Sequence, residues 1–146
     1  MTKILIKRLS KNAVIPKYET PGSSGMDLVA CIEKDVNIKP GNKAVIPVGF
    51  ALSVPKNFEI QIRPRSGLAA KNDITVLNTP GTIDSDYRGE VKVILFNHGQ
   101  NIFKIENGLR IAQMILCPVE KAEIIEVEEL TDTLRGKGGF GSTGLK

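Results

Sequence analysis

Five short segments of this chain combine arginine, carboxylate, hydroxyl and glycine residues, the types that bind anions and move protons. In chain order they are residues 25–30 (GMDLVA), 64–69 (PRSGLA), 78–90 (NTPGTIDSDYRGE), 108–113 (GLRIAQ) and 135–144 (RGKGGFGSTG). Arginine offers an anion a planar fork of donors, and glycine leaves its backbone amide unobstructed. A carboxylate in a turn can act as a general base. The pattern therefore favours a binding site for a small polyanion.

The second segment places Arg65, Ser66 and Gly67 at the start of a run that favours a short helix, residues 66–71. If Ser66 caps that helix, free amides and the helix dipole converge on one anion site. The alternative is a capped turn with a surface arginine. The segment by itself favours that alternative.

Three residues of the other segments also have competing interpretations. Asp84 lies in a polar turn, where an aspartate more often caps the backbone than acts as a base. Tyr87 could be a half-buried core aromatic. Asp27 lies in an apolar strand and would be costly to bury unpaired. Arg110 is its candidate partner, and that pair could simply tie two strands together.

The fifth segment is dominated by glycine, since residues 136–144 hold five of the 14 glycines in the chain. So much glycine cannot pack a core and loses much backbone entropy on ordering. We therefore predict a globular domain over residues 1–130 and a mobile arm over residues 131–146. Glycine-rich backbone can form an anion-binding nest, and Phe140 in such an arm is suited to stacking on a flat base. A disordered tail is the alternative.

The elements that must position these segments are predicted to be strands. Residues 58–63 alternate apolar and polar side chains with a period of two. Residues 44–50 and 91–96 are rich in apolar side chains, as are the last two strong runs, residues 111–119 and 122–127. Frequent Pro-Gly and Asn-Gly turn signals separate these runs, and residues 66–71 are the one plausible helix. This pattern predicts a single all-β domain, a jelly-roll-like β-barrel with one short helix.

Composition excludes several other classes of protein. The net charge of +4 is scattered, and the absence of Trp with only two Tyr and five Phe argues against nucleic-acid binding. One histidine and two separated cysteines offer no usual zinc site, and both thiols are predicted to be free and buried. The N-terminus has no apolar stretch typical of a signal peptide, and no run is long enough to span a membrane. We expect a cytoplasmic protein.

In their order and spacing the five segments resemble the five motifs of the trimeric dUTP pyrophosphatases (dUTPases), over about residues 25–144. The resemblance implies a β jelly roll assembled as a homotrimer, with active sites shared between subunits. It implies Mg²⁺-dependent hydrolysis of dUTP to dUMP and pyrophosphate, which keeps uracil out of DNA. In this scheme the first, second and fourth segments come from one subunit, the third from a neighbour and the arm from the remaining chain.

The resemblance also implies a role for individual residues. Asp84 is the general base that orients the attacking water, Asn78 holds the uracil, and the ring of Tyr87 packs under the deoxyribose and excludes a 2′-hydroxyl. Asp27 faces the Mg²⁺ through water. The triphosphate is expected to contact Arg65, Ser66, Gly67, Gln113, Arg135, Gly141, Ser142 and Thr143, with Phe140 stacked on the base.

Two other functions remain open from the sequence. One is a dCTP deaminase-type relative with the same fold. The other is a non-catalytic trimeric nucleotide-binding module. The uninterrupted run IDSDYRGE with Tyr87 and the Phe140 arm favour the pyrophosphatase over the deaminase. The presence of all the carboxylates and phosphate-binding residues argues against the non-catalytic module.

Overall fold

The structure, a computed structural model, describes residues 2–139. Within that range the chain forms ten strands and one short helix. Their bounds are β1 (Leu5–Arg8), β2 (Met26–Val29), β3 (Val36–Ile38), β4 (Lys43–Ser53), β5 (Phe58–Arg63), α1 (Ser66–Asn72), β6 (Ile74–Val76), β7 (Gly81–Ile83), β8 (Glu90–Asn97), β9 (Phe103–Ile105) and β10 (Arg110–Pro118). No helix of the described chain is long and apolar enough to cross a membrane.

The strands form two four-stranded antiparallel sheets that pack against each other. One has the order β1-β4-β8-β6 and the other β2-β10-β5-β7, while β3 and β9 form a separate pair. The alternation predicted for residues 58–63 is observed, because Ile60 and Ile62 are buried and Arg63 is exposed. Side chains from both large sheets, such as Ile46, Leu95, Ile60 and Met114, meet in a single core. The expected all-β class with one short helix is therefore observed.

Strand β4 contains both a proline and a glycine, and its pairing with β8 is irregular between Pro47 and Ala51. Gly49 adopts a φ of +76°, which favours glycine, and a Cβ there would lie 2.6 Å from Cys31 Sγ. The backbone thus approaches Cys31 closely. Cys31 and Cys117 are free, as predicted, but both are partly exposed rather than buried.

The sequence predicts a strand for the apolar run at residues 122–127, as for residues 111–119. In the structure, residues 122–127 do not form a strand. From residue 119 to residue 139 the described chain forms no helix or strand. Ile124 is 88% exposed and Ile125 is 71% exposed. A run with high β-propensity needs a neighbouring strand to pair with, and residues 2–139 provide none for this segment.

Asn97 is a buried polar residue that ties β8 to two neighbouring segments. Its Nδ2 donates to the carbonyl oxygens of Ile38 and Asn101, both at 2.8 Å. Its Oδ1 accepts from the Gly99 amide at 2.8 Å. The side chain is completely buried, so these bonds have no competition from water.

Replacing Asn97 with Ala is expected to lower the free energy of unfolding by about 2–4 kcal/mol, because it leaves buried backbone groups without partners. Urea denaturation at one fixed protein concentration measures the change. Asn42→Ala is the matched control, because Asn42 is exposed and forms only backbone hydrogen bonds in the described chain: its carbonyl accepts from the Asn97 amide and its amide donates to the Lys39 carbonyl, both at 3.0 Å. Equal stability losses in the two variants would contradict the assignment.

Candidate active site

The first cluster of sequence-predicted site residues lines a cavity of about 220 Å³ formed by Asp27, Arg65, Ser66, Gly67 and Gln113, here called the anion pocket. Strand register brings them together, because Gln113 on β10 lies opposite Asp27 on β2 and opposite Arg63 on β5. Helix α1 begins just beyond β5 and supplies Ser66 and Gly67. Three of the five segments thus meet in one pocket.

Gln113 is held in a fixed orientation within this pocket. Its Nε2 donates to the carbonyl oxygen of Pro64 at 2.9 Å. On the other side, a Cβ on Gly25 would lie 2.5 Å from Gln113 Oε1. Gly25, in the first segment, therefore leaves room for the carboxamide of Gln113, in the fourth.

The carboxylate of Asp27 is shared between two arginines. Its Oδ1 lies 2.9 Å from Arg65 Nε and its Oδ2 lies 3.2 Å from Arg110 Nη1. The pairing of Asp27 with Arg110, which the sequence suggested as a tie between strands, is present. The pairing with Arg65 was missed, since nothing in the sequence signals a contact between residues so far apart. Each oxygen keeps a further lone pair for another donor.

Ser66 does not cap helix α1, which corrects the capping expectation. It is the first helical residue, and Arg65 occupies the N-cap position without a side-chain hydrogen bond to the helix. The amides of Leu68 and Ala69 donate to the carbonyl of Arg65. The first amides of a helix lack partners within it, so those of Ser66 and Gly67 are available at the pocket.

The second cluster lies in a cavity of about 240 Å³ beside the segment that links β6 and β7, here called the hairpin pocket. Its polar lining includes Asn78, Asp84 and Tyr87, and its apolar lining includes Ile83 and Val91. A Cβ on Gly81 would approach Asn78 Nδ2 to 3.2 Å, so the glycine leaves space for that amide. An apolar cavity wall with one side-chain amide suits a small heterocycle.

A tight turn after β7 presents Asp84 and Tyr87. The Tyr87 amide donates to the Asp84 carbonyl at 3.2 Å, and Arg88 Nη1 donates to the carbonyls of Ser85 and Tyr87, both at 2.7 Å. Asp84 is exposed, and its carboxylate makes no hydrogen bond or ion pair within residues 2–139. It is therefore not used to cap the backbone, and it can accept a proton.

Tyr87 is fixed at the edge of this pocket rather than buried in the core. Its hydroxyl donates to the Glu90 carbonyl at 3.1 Å, and a Cβ on Gly89 would lie 2.3 Å from that hydroxyl oxygen. The residue is 45% exposed. The core-aromatic interpretation is therefore wrong, and the ring is free to contact a ligand.

The two pockets share no lining residue, and Asp84 lies toward the start of strand β5, whereas the anion pocket lies at its end. Because Ile83 pairs with Ile60, Asp84 is level with Glu59. From Glu59 to Arg63 the strand rises about 13 Å, at roughly 3.3 Å per residue, and Arg65 lies further on. One copy of the chain therefore does not bring Asp84 to its own anion pocket.

A model of the dUTPase family matches residues 11–144 of this chain. The chain belongs to the dUTPase family. A deoxyuridine 5′-triphosphate nucleotidohydrolase of Nautilia profundicola is 58% identical over 142 residues, covering 97% of this chain and 99% of that protein.

Solved structures of family members have the same fold. A dUTPase of Staphylococcus bacteriophage 80alpha, solved with dUpNHpp, is 26% identical with a TM-score of 0.88, covering 99% of this chain and 100% of that one. A dUTPase of phage phi11 of S. aureus, described with a coordinated structural Mg(II) ion, has a TM-score of 0.80 at 22% identity and covers 89% and 99%. The predictions of the family, of the dUTPase jelly-roll fold and of the dUTP-hydrolase class are confirmed.

Some residues that were predicted to belong to the site line neither pocket, and others lie outside the described residues. Arg135 is exposed, and its Nε donates to the Gly138 carbonyl at 3.0 Å within the tail. Phe140, Gly141, Ser142 and Thr143 lie outside the described residues. His98, to which the sequence gives no catalytic role, is exposed and packs its ring 4.5 Å from that of Phe96.

Asp27 is the one carboxylate lining the anion pocket. Between residues 2 and 139, no three His, Cys, Asp or Glu side chains are arranged to hold a metal ion. Mg²⁺ is commonly held by one or two carboxylates together with substrate phosphates and several waters. The residues present fit an ion that arrives with a polyphosphate and meets Asp27 through water.

Proposed function

We propose that this member of the dUTPase family hydrolyses dUTP to dUMP and pyrophosphate by attack of water on the α-phosphorus. The observation that carries the proposal is the exposed carboxylate of Asp84, which has no partner within residues 2–139 and lies with Asn78 and Tyr87 at a cavity of about 240 Å³. Such a carboxylate can orient a water and accept its proton. The names of the relatives support dUTP as the substrate.

The hairpin pocket binds the uracil and the deoxyribose. Asn78 and backbone groups of the pocket read the edge of the base, so cytosine would leave buried polar groups unpaired. The Tyr87 ring lies under the sugar and leaves no room for a 2′-hydroxyl. Its hydrogen bond to the Glu90 carbonyl and its close approach to Gly89 support this role, because they fix the ring in place.

The anion pocket binds the phosphate chain. Arg65, Ser66 and Gly67 supply donors to the α- and β-phosphates, and Gln113 supplies a further one. Mg²⁺, when bound with the nucleotide, neutralises phosphate charge, and Asp27 holds its hydration shell. General-base assistance by Asp84 contributes about 10²–10⁴-fold, so positioning and charge stabilisation in this pocket must supply the remaining acceleration.

Each complete site is formed by two or more copies of the chain. The separation of Asp84 from the anion pocket along β5 supports this arrangement, since the attacked phosphorus must lie within reach of both. A repeated contact between unlike surfaces gives a closed ring when its rotation closes, and a homotrimer is the ring that the family resemblance implies. The arm, residues 131–146, is proposed to close over the nucleotide with Arg135, Phe140, Gly141, Ser142 and Thr143 against base and phosphates.

The protein is proposed to act in the cytoplasm. The free thiols of Cys31 and Cys117 are compatible with a reducing compartment. Its role there is to remove dUTP and supply dUMP, and no stable binding to nucleic acid is expected.

Pyrophosphate release from dUTP, dCTP, dTTP and UTP, each supplied separately with Mg²⁺, tests the function. Release from dUTP alone, abolished by a chelator, is the expected result. Ammonia release from dCTP would instead support the deaminase-type alternative. Nucleotide binding without any product would support the non-catalytic module.

Gly25→Ala is expected to raise the KM for dUTP about tenfold or more, because the new methyl group displaces the Gln113 carboxamide from the phosphate chain. Steady-state kinetics measures the change. Gly22→Ala is the matched control, since a Cβ at Gly22 meets no atom within 4 Å and should leave KM unchanged. An unchanged KM in Gly25→Ala would remove Gln113 from the phosphate-binding set.

A further inference from the structure

A chain of alternating charges extends from the anion pocket to a residue outside all five segments. Arg65 pairs with one oxygen of Asp27 and Arg110 Nη1 pairs with the other, at 2.9 and 3.2 Å. The second terminal nitrogen of Arg110, Nη2, lies 3.5 Å from Glu19 Oε1. Arg110 is thus held between two carboxylates, only one of which lines the pocket.

Glu19 is presented by a small closed turn. The Thr20 amide donates to Ser23 Oγ at 3.1 Å, the two hydroxyl oxygens lie 2.9 Å apart, and the Ser23 amide donates to the Thr20 carbonyl at 3.1 Å. These reciprocal bonds fix the backbone directly after Glu19. A carboxylate on such a turn is better placed to orient a partner than one on an unconstrained loop.

We propose that Glu19 is a positioning residue for the phosphate half of the site. By holding Nη2 of Arg110, it fixes the guanidinium so that Nη1 keeps Asp27 aligned toward the triphosphate and its Mg²⁺. The inference rests on the proposed function. It assigns Glu19 no contact with substrate.

The loss of Glu19 has opposite expected effects on anion binding, depending on whether its charge or its contact with Arg110 dominates. Removing a negative charge near a triphosphate should by itself tighten binding of the anion. Removing an anchor of Arg110 should weaken it, because Arg110 and Asp27 then sample other orientations. Exposed ion pairs contribute little individually, so the expected weakening is about two- to fivefold. The sign of the change therefore separates the two roles.

The test measures dissociation constants of dUpNHpp with Mg²⁺ and of dUMP for the wild-type chain, Glu19→Gln and Glu19→Asp. Aspartate keeps the charge but is one methylene too short to reach Arg110. Both variants are expected to bind dUpNHpp about two- to fivefold more weakly and dUMP as the wild type does. Glu33→Gln is the matched control, since Glu33 is exposed and forms no ion pair in the described part of the chain.

Ser23→Ala opens the turn and should reproduce the effect without adding to it in the double variant with Glu19→Gln. Tighter or unchanged dUpNHpp binding in Glu19→Gln would overturn the proposal. Equal losses for dUMP and dUpNHpp would also overturn it, because a purely structural defect acts on both. A wild-type chain that neither binds nor hydrolyses a deoxyuridine nucleotide would instead refute the proposed function.

Discussion

Asp84→Asn is expected to hydrolyse dUTP about 10²–10⁴-fold more slowly than the wild-type chain while its affinity for dUpNHpp stays within a few fold. The amide keeps the size and much of the hydrogen bonding of the carboxylate but cannot accept the proton of the attacking water. Because the Asp84 side chain has no partner in the described chain, the substitution breaks no contact that holds the turn. Single-turnover hydrolysis and calorimetric binding measure the two quantities.

Asp86→Asn is the control for that experiment. Asp86 lies in the same turn and is also exposed, but it lines only a neighbouring cavity, whereas Asp84 lines both that cavity and the hairpin pocket. Its loss should change turnover much less than tenfold. If Asp84→Asn retained full turnover, or if both variants lost it equally, Asp84 would not be the general base.

Mixed assemblies of two inactive variants are expected to recover activity. Asp84→Asn disables the hairpin pocket and Arg65→Ala disables the anion pocket, and each variant alone should be nearly inactive. If every site takes one pocket from each of two copies around a ring of three, each mixed trimer has about one third of its sites with two intact halves. Co-expression with two affinity tags, followed by purification through both, gives the mixed species for a dUTP hydrolysis assay.

The matched control mixes Asp84→Asn with Tyr87→Ala. Both defects lie in the hairpin pocket, so every copy in this mixture carries a damaged nucleoside half and no recovery is expected. Absence of recovery in the first mixture would mean that one copy supplies both halves. The pairing of β5 with β7, which places Asp84 level with Glu59, would then have to change.

Strands of six or more residues could be predicted from the sequence because the hydrophobic period is visible over that length. This holds for β5 and for β10, whose Ile111, Ala112 and Met114 form part of the core. The pair β3 and β9 was not anticipated, since strands of three residues are too short to show a period. Residues 122–127 were misjudged for another reason: their composition favours a strand, but a strand also needs a partner.

Local chemistry of the site was predictable, whereas its spatial grouping was not. Short-range features such as the exposed turn at Asp84 follow from residues close in sequence. The sequence suggested the pairing of Asp27 with Arg110, 83 positions away, but the pairing with Arg65, 38 positions away, is visible only in the fold. The division into two pockets likewise depends on the direction of β5 and not on any motif. The contact between Glu19 and Arg110 was also not predicted from the sequence, because Glu19 lies outside the five segments.

The exposed apolar stretch near the end of the described chain has a consequence for the aggregation of the protein. Ile124 and Ile125 form a short β-prone run that pairs with no strand of residues 2–139, and chains can aggregate side by side through segments of this kind. Glu123 and Glu126 flank it directly, and like charges on adjacent tails repel. We expect these glutamates to oppose aggregation through this segment. Neutralising them to raise expression or crystallisability would therefore remove the protection that lets an unpaired strand-forming sequence remain exposed.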